Sequence, residues 1–89
     1  MLEYESIGKF KSDFKKFAHK KSVLKEFDKI IDLLRNEVNL PEKYKDHPLL
    51  GDYNGYRECH IKPDVLLIYR KDSKNLYLAR IGSHSELFR

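Results

Sequence analysis

Four side chains in the second half of the chain have the types that proton-transfer chemistry uses: His47, His60 and His84, with Arg80 just ahead of the last. Histidine titrates near neutral pH, so it can both give and take a proton. Arginine carries a permanent charge in a planar fork that suits phosphate oxygens. RNA cleavage needs these parts. A base removes the proton of a ribose 2′-OH, which attacks the adjacent phosphate; an acid protonates the departing 5′ oxygen; a fixed cation offsets the charge gathering on the phosphoryl oxygens. The scheme needs no metal and no cofactor. Zinc is the other use of three histidines, but the spacing 47, 60, 84 matches no standard local metal motif and the chain has no cysteine cluster. His19, at the end of a lysine-rich stretch, reads as an ordinary surface residue.

These groups need a scaffold, and hydropathy periods supply one. Leu2 to Ser6 alternates like a short strand. Phe10, Phe14 and Phe17 recur at spacings of four and three, which predicts a helix from about Gly8 to His19 with its aromatic face in the core. Ser22 is the expected N-cap of a second helix. Val23, Phe27, Ile30, Ile31 and Leu34 give that helix an apolar face, and it should run to about Asn36, short of Pro41. Leu40 to Asn54 reads as a loop. Tyr56–Lys62, Val65–Arg70 and Leu76–Ile81 read as three strands, joined through Lys62-Pro63-Asp64 and Lys71 to Asn75. Short links make them an antiparallel meander, with the doubly apolar Val65–Tyr69 run at its centre. The expected architecture is α+β: a short N-terminal strand and a two-helix hairpin packed on an antiparallel β-meander. Period two puts Glu58 and His60 on one face of their strand and Arg57 and Cys59 on the other. In a meander the end of the third strand lies level with the start of the second, so Arg80 would approach His60 or Asp64.

The chain has 89 residues, 40% hydrophobic and 36% charged, with a net charge of +4. That supports one small folded domain over residues 1–89 and suits an anionic partner, nucleic acid or an acidic protein segment. Between positions 9 and 29 stand lysines 9, 11, 15, 16, 20, 21, 25 and 29 against Asp13, Glu26 and Asp28. Such a lopsided run favours a phosphate-facing surface over a merely solvated helix face. A single cysteine, Cys59, excludes an internal disulfide and reads as a small buried hydrophobe. The N-terminus has no apolar signal region and no stretch is long enough to span a membrane, so the expected location is the cytoplasm, with no membrane partner. A DNA-binding regulator is disfavoured, since no helix-turn-helix signature is present.

One resemblance sharpens the reading. Tyr44-Lys45-Asp46-His47-Pro48-Leu49, Gly51, the run from Tyr56 to Asp64, Leu67-Ile68-Tyr69, and the run from Arg80 to Phe88 together resemble the YafQ branch of the RelE/ParE toxin superfamily. The order and spacing are specific across residues 44–88; the N-terminal half matches only in kind. The resemblance implies a RelE-like, microbial-ribonuclease-like fold and a type II toxin–antitoxin toxin. The implied activity is metal-free endonuclease cleavage of mRNA in the ribosomal A site, and the implied partners are mRNA, ribosomal RNA and a cognate antitoxin protein. Its catalytic positions fall on His47, His60, Asp64, Arg80 and His84. On that pattern Arg80 stabilises the transition state, His84 is the general acid, and His60, oriented by Asp64, is the base, with His47 able to share either role. Phe88 would stack on a base, or else close the core. Arg57 and Lys62 are expected to add substrate contacts, and Lys9, Lys11, Lys15, Lys16 and Lys20 to dock on ribosomal RNA. Where some branch members carry tryptophan after Pro-Asp, this chain has Val65, a position that bears on codon preference. The superfamily also contains gyrase poisons, so a RelE/ParE-fold protein without nuclease activity is the alternative; the histidine set favours the nuclease.

Overall fold

The computed structural model describes residues 1–88. Its elements run in the order β1 (Glu3–Ser6), α1 (Phe10–Phe14, prolonged by a 3₁₀ turn at Lys15–Phe17), α2 (Lys21–Arg35), β2 (His47–Pro48), β3 (Arg57–Lys62), β4 (Val65–Lys71), β5 (Asn75–Gly82) and α3 (His84–Leu87). Two further 3₁₀ turns, Glu42–Tyr44 and Gly51–Tyr53, lie in the segment read as a loop.

The strands form one five-stranded sheet in the order β1-β5-β4-β3-β2. β4, apolar on both faces, occupies the middle as its composition demands. The β3–β4–β5 meander is antiparallel, as expected, and so is the short β2 beside β3. β1, the short N-terminal strand expected beside the meander, joins the same sheet and pairs in parallel with β5, from Glu3 opposite Asn75 to Ser6 opposite Leu78. The helical hairpin makes this possible, because a parallel neighbour needs a long crossover and α1 and α2 provide part of it.

The helices differ in detail from the periodicity. The aromatic stripe is real, with Phe10 and Phe17 buried and Phe10, Phe14 and Phe27 in ring contact at 5.0–6.0 Å. The α-helix nevertheless lasts only to Phe14 before tightening into 3₁₀ geometry, common at helix ends. α2 begins at Lys21, ahead of Ser22, so Ser22 lies inside the first turn and caps nothing; the Lys20 carbonyl takes the first backbone bonds, from Val23 and Leu24.

Each sheet face has its own core. Helices α1 and α2 bury Phe10, Phe27, Ile30 and Leu34 against Cys59, Leu67, Tyr69, Leu78 and Ile81. The other face carries a smaller cluster of Leu66, Ile68, Ala79 and Leu87, with Ile7, Leu49, Tyr53, Tyr56 and Phe88 packed partly buried around it. Among the described residues, this second face is covered by the segment after β2 and by the short α3, which brings Leu87 onto it.

A β-bulge decides what the open face displays. The β4–β5 register shifts between Ile68, opposite Arg80, and Tyr69, opposite Leu78, so Ala79 is the extra residue. Strict alternation from Leu76 and Leu78 would send residue 80 under the helices. The extra residue instead places Ile81 in the helix-side core and Arg80 in register with Ile68 of the open face, which is how bulges re-aim side chains.

Candidate active site

The cross-strand register collects the polar residues into two rows. His47 is opposite Glu58, Glu58 opposite Ile68, and Ile68 opposite Arg80. In the next row His60 is opposite Leu66, and Leu66 opposite Gly82. Residues in register share a face, so His47, Glu58, His60 and Arg80 all belong to the open one. At roughly 4.8 Å between strands, His47 and Arg80 stand about 14 Å apart at the backbone, with the apolar floor of Leu66 and Ile68 between them.

On one side of that floor two imidazoles converge on a carboxylate. Glu58 is 5% exposed, and its Oε1 lies 3.2 Å from His47 Nε2 and 3.4 Å from His60 Nε2. A carboxylate this buried needs partners, and the two rings are what it meets. His47 also has Nδ1 3.1 Å from the Pro48 carbonyl. The carboxylate facing His60 is therefore Glu58. Asp64, expected in that role, sits exposed in the turn between β3 and β4. Its distance follows from the strand period: Glu58 is two residues from His60 on the same face, whereas Asp64 lies beyond the end of the strand.

His47 is held from behind. Asp46, next to it, points to the helix side, where it takes hydrogen bonds from the Tyr69 hydroxyl and from Arg57 Nε and Nη2, the latter at 3.0 Å. Burial and the Asp46 hydrogen bond push the Tyr69 phenol far above its ordinary range, so it stays a donor. This network sets Arg57, expected to contact substrate, against Asp46 rather than toward the open side. Arg57 is in register with Tyr69 on the covered face, and its cationic form is held by Asp46.

On the other side of the floor, Arg80 is braced from α1. Its Nε lies 2.6 Å from Asp13 Oδ2 and its Nη2 3.2 Å from Oδ1, and the same carboxylate accepts the Ile81 backbone N–H at 3.2 Å. β1 ends at Ser6, opposite Leu78, so on that side β5 has no strand partner at Ile81, which pairs with Leu67 of β4 on the other; the Asp13 carboxylate takes the open side. Asp13 is 6% exposed, and its hydrogen bonds raise the Arg80 pKa further. Two of the five guanidinium N–H donors go to Asp13, and the Tyr53 side chain lies beside the same guanidinium. Asp13 is the functional residue that sequence reasoning missed, having counted it only as one acidic residue among lysines.

Arg80 leads to α3. Ser83 and Glu86 form a reciprocal capping box, with Ser83 N–H donating to Glu86 Oε1 at 2.8 Å and Glu86 N–H to Ser83 Oγ at 3.3 Å. Those bonds hold the Glu86 carboxyl down at about 2. Space at Gly82 is tight: a Cβ would sit 3.1 Å from Glu86 Oε1 and 3.4 Å from Leu87 Cδ2, so those side chains would have to give by a few tenths of an ångström. The cap presents His84, exposed, as the first residue of α3, with its ring centroid 5.0 Å from that of the half-buried Phe88. Phe88 thus touches the second core and keeps an accessible side.

The remaining expected residues are surface groups. Lys62, half-buried, borders a cleft of about 240 Å³ beside His60, together with Lys43, Lys45 and Glu26. Lys9, Lys11, Lys15, Lys16 and Lys20 are all exposed; Lys16 pairs with Glu86 at 3.3 Å and Lys20 lies over the Phe17 ring. Cys59 is fully buried, and burial pushes its thiol well above the usual range. Among the described residues no helix is long and apolar enough to cross a membrane.

Residues 2–89 match the family model described as the bacterial toxin of type II toxin–antitoxin systems, YafQ. The chain belongs to the YafQ toxin family. It is 37% identical over 87 residues to the mRNA interferase toxin YafQ of Escherichia coli K12, covering 97% of this chain and 95% of that protein. A metal-bound toxin from Helicobacter pylori superposes with a TM-score of 0.89 at 46% identity, over 99% of this chain and all of that one. YafQ in the E. coli DinJ–YafQ complex superposes with a TM-score of 0.86 at 36% identity, over all of both chains. The RelE-like α+β architecture expected of the toxin is therefore the one observed.

The Glu58 cluster also has the composition of a metal site. Ligand atoms of His47, Glu58 and His60 all lie within 4.8 Å of one another. Two nitrogens and one carboxylate oxygen fit a transition-metal ion. The expected absence of metal rested on grouping His47 and His60 with His84; the third ligand atom is instead that of Glu58.

Proposed function

We propose that this toxin is an endoribonuclease that cuts mRNA on the ribosome by metal-free acid–base chemistry and thereby stops translation. The observation that carries the reading is the open sheet face. A carboxylate holds two imidazoles at one side, and a carboxylate-braced arginine with an exposed imidazole stands at the other. His60, fixed by Glu58, takes the 2′-OH proton, and His47, on the same carboxylate, assists it. The free donors of Arg80 meet the phosphoryl oxygens as charge builds on them. His84 protonates the 5′ oxygen, and Phe88 beneath it stacks on a nucleotide base. Asp64, at the strand turn, contributes to the rim rather than to the proton path, as does Lys62 beside His60.

The lysine-rich helices supply the sequence-independent part. Lys9, Lys11, Lys15, Lys16 and Lys20 dock on ribosomal RNA through a charge that falls off with salt. The cognate partner is an antitoxin protein, as DinJ is for E. coli YafQ, and the site of action is the cytoplasm, where ribosomes and mRNA are. The E. coli K12 relative, an mRNA interferase by name, supports the substrate class. Inducing this chain alone is expected to arrest growth, and primer extension on cellular mRNA to show discrete cuts that require translating ribosomes and vanish when the antitoxin is co-expressed. DNA breaks with intact mRNA would turn the reading to a gyrase-directed toxin.

A second reading attaches to the His47–Glu58–His60 trio, favoured by its ligand geometry and by the metal-bound H. pylori relative. An ion held there would occupy the nitrogens that proton transfer needs. On the metal-free reading, purified toxin treated with EDTA before assay keeps its activity; on the metal reading it loses it and zinc restores it.

A further inference from the structure

The segment between β2 and β3 has a feature that the catalytic groups do not use. Leu49 N–H donates to the Tyr56 carbonyl at 2.9 Å and closes the segment into a loop, whose 3₁₀ turn at Gly51–Tyr53 brings Tyr53 onto the open face. Tyr53 then meets Phe88 at 5.8 Å and Tyr56 at 6.0 Å, with interplanar angles of 75° and 86°. Edge-on contacts of this kind do not consume the rings in mutual face-to-face stacking. All three rings are only partly buried. Beside them opens a cleft of about 470 Å³, lined by Tyr53, Tyr56, Ala79, Arg80, Lys9 and Asp52 among others. Arg70 adds a further cation, 5.6 Å over the Tyr56 ring.

We propose that Tyr53 and Tyr56 form a stacking subsite for an unpaired nucleobase of single-stranded RNA, next to the phosphate that Arg80 holds. Partly exposed aromatic faces interleaved with fixed cations are what single strands require: the π-face takes the base and the cations take the backbone. The charge balance of the cleft also selects the occupant. Lys9, Arg80 and the nearby Arg70 outnumber Asp52 and the Asp13 carboxylate that braces Arg80, which suits a phosphate-linked base rather than a basic peptide. Arg80 belongs to the cleft wall as well as to the catalytic row, so a base seated on Tyr53 brings its own phosphate to the guanidinium. The subsite rests on the nuclease reading above and extends it by a nucleotide that Phe88 does not reach alone.

The test uses the purified full chain and a short, labelled, fully 2′-O-methylated single-stranded RNA, which cannot be cleaved because the attacking hydroxyl is blocked. Tyr53→Leu is expected to weaken binding on the order of 10-fold or more, as loss of one stacked base does, while Tyr53→Phe binds like the parent. Replacing one nucleotide of the probe by an abasic residue should weaken the parent to the same degree and leave Tyr53→Leu no weaker than before. The abasic series tests the parent protein and so stands even if Tyr53→Leu fails to fold. Equal binding by parent and Tyr53→Leu, insensitivity to every abasic position, or no binding of the probe by the parent would overturn the subsite. So would a Tyr53→Leu variant that keeps RNA affinity but loses the antitoxin, which would assign the face to the protein partner. mRNA cleavage by the parent on programmed ribosomes is scored separately, so failure of the subsite is distinct from failure of the nuclease reading.

Discussion

Two arginine–carboxylate pairs in this toxin use the same chemistry for different ends. Arg80, on the open face, meets Asp13 of α1 at 2.6 Å, with side chains 21% and 8% exposed; Arg57 and Asp46 lie on the covered face at 3.0 Å, 40% and 22% exposed. Asp13 grips one edge of its arginine and leaves the rest of the fork free. Asp46 shares its carboxylate between Arg57 and the Tyr69 hydroxyl, so the network fastens the chain immediately before His47. In the proposed mechanism the first pair holds the charge that meets the phosphate, and the second holds a loop. Residue type does not separate them; the face does, and a single bulge residue in β5 sets the face of Arg80.

The largest expected effect breaks the first pair. Arg80→Ala should lower single-turnover cleavage on the order of 10²–10³-fold, the usual cost of removing one transition-state donor. Arg80→Lys keeps the charge without the fork and should retain part of the activity. Arg57→Lys, on the covered face, should leave the rate within about tenfold of the parent. An Arg57→Lys rate as low as that of Arg80→Ala would erase the distinction.

Next come the carboxylates, compared by urea denaturation. Asp13→Ala leaves a buried arginine edge and the Ile81 N–H unpartnered and should cost about 3 kcal/mol. Asp46→Ala should cost less, about 1–2 kcal/mol, because Arg57 is well exposed and screened, and most of the loss is the stranded Tyr69 hydroxyl. The reverse order would mean that the covered pair is the tighter clamp.

The smallest effect sharpens the open side through pH. The folded-state carboxyl of Glu86 is held at about 2, below its ordinary 4.5, by the Ser83 cap. A depressed carboxyl contributes stability that is fully present above the ordinary value and lost as pH falls through the folded one. The cap presenting His84 and Phe88 should therefore loosen between about pH 4.5 and 2, and Glu86→Gln should flatten that dependence. His84 and Phe88 ring resonances followed by NMR across that window check it.

Much of this arrangement was legible in the residues. Phe10, Phe14 and Phe17 announced a helix face, Val65 to Tyr69 the central strand, and period two the shared face of Glu58 and His60. The same period placed Arg57 on the far face, so its assignment to substrate contradicted the pattern already in hand. The rest depended on contacts that the sequence does not order. Asp13 and Arg80 are 67 residues apart. The bulge at Ala79 has no local signature, and without it the register of Arg80 cannot be placed. The parallel seat of β1 depends on where the hairpin returns the chain, and His47 meets Glu58 only because a two-residue strand, too short for any periodicity, forms at the sheet edge.

In the proposed mechanism, imidazoles on the open face move the protons. A pH–rate profile of single-turnover cleavage on programmed ribosomes, run for the parent, His60→Gln and His84→Gln after treatment of each toxin with EDTA, tests it most directly. The parent should stay active and each variant should lose about 10²–10⁴-fold, with one limb of the profile missing in each and ribosome binding retained. A His60→Gln or His84→Gln variant that cuts at the parent rate, or a parent silenced by EDTA and revived by zinc, would contradict it.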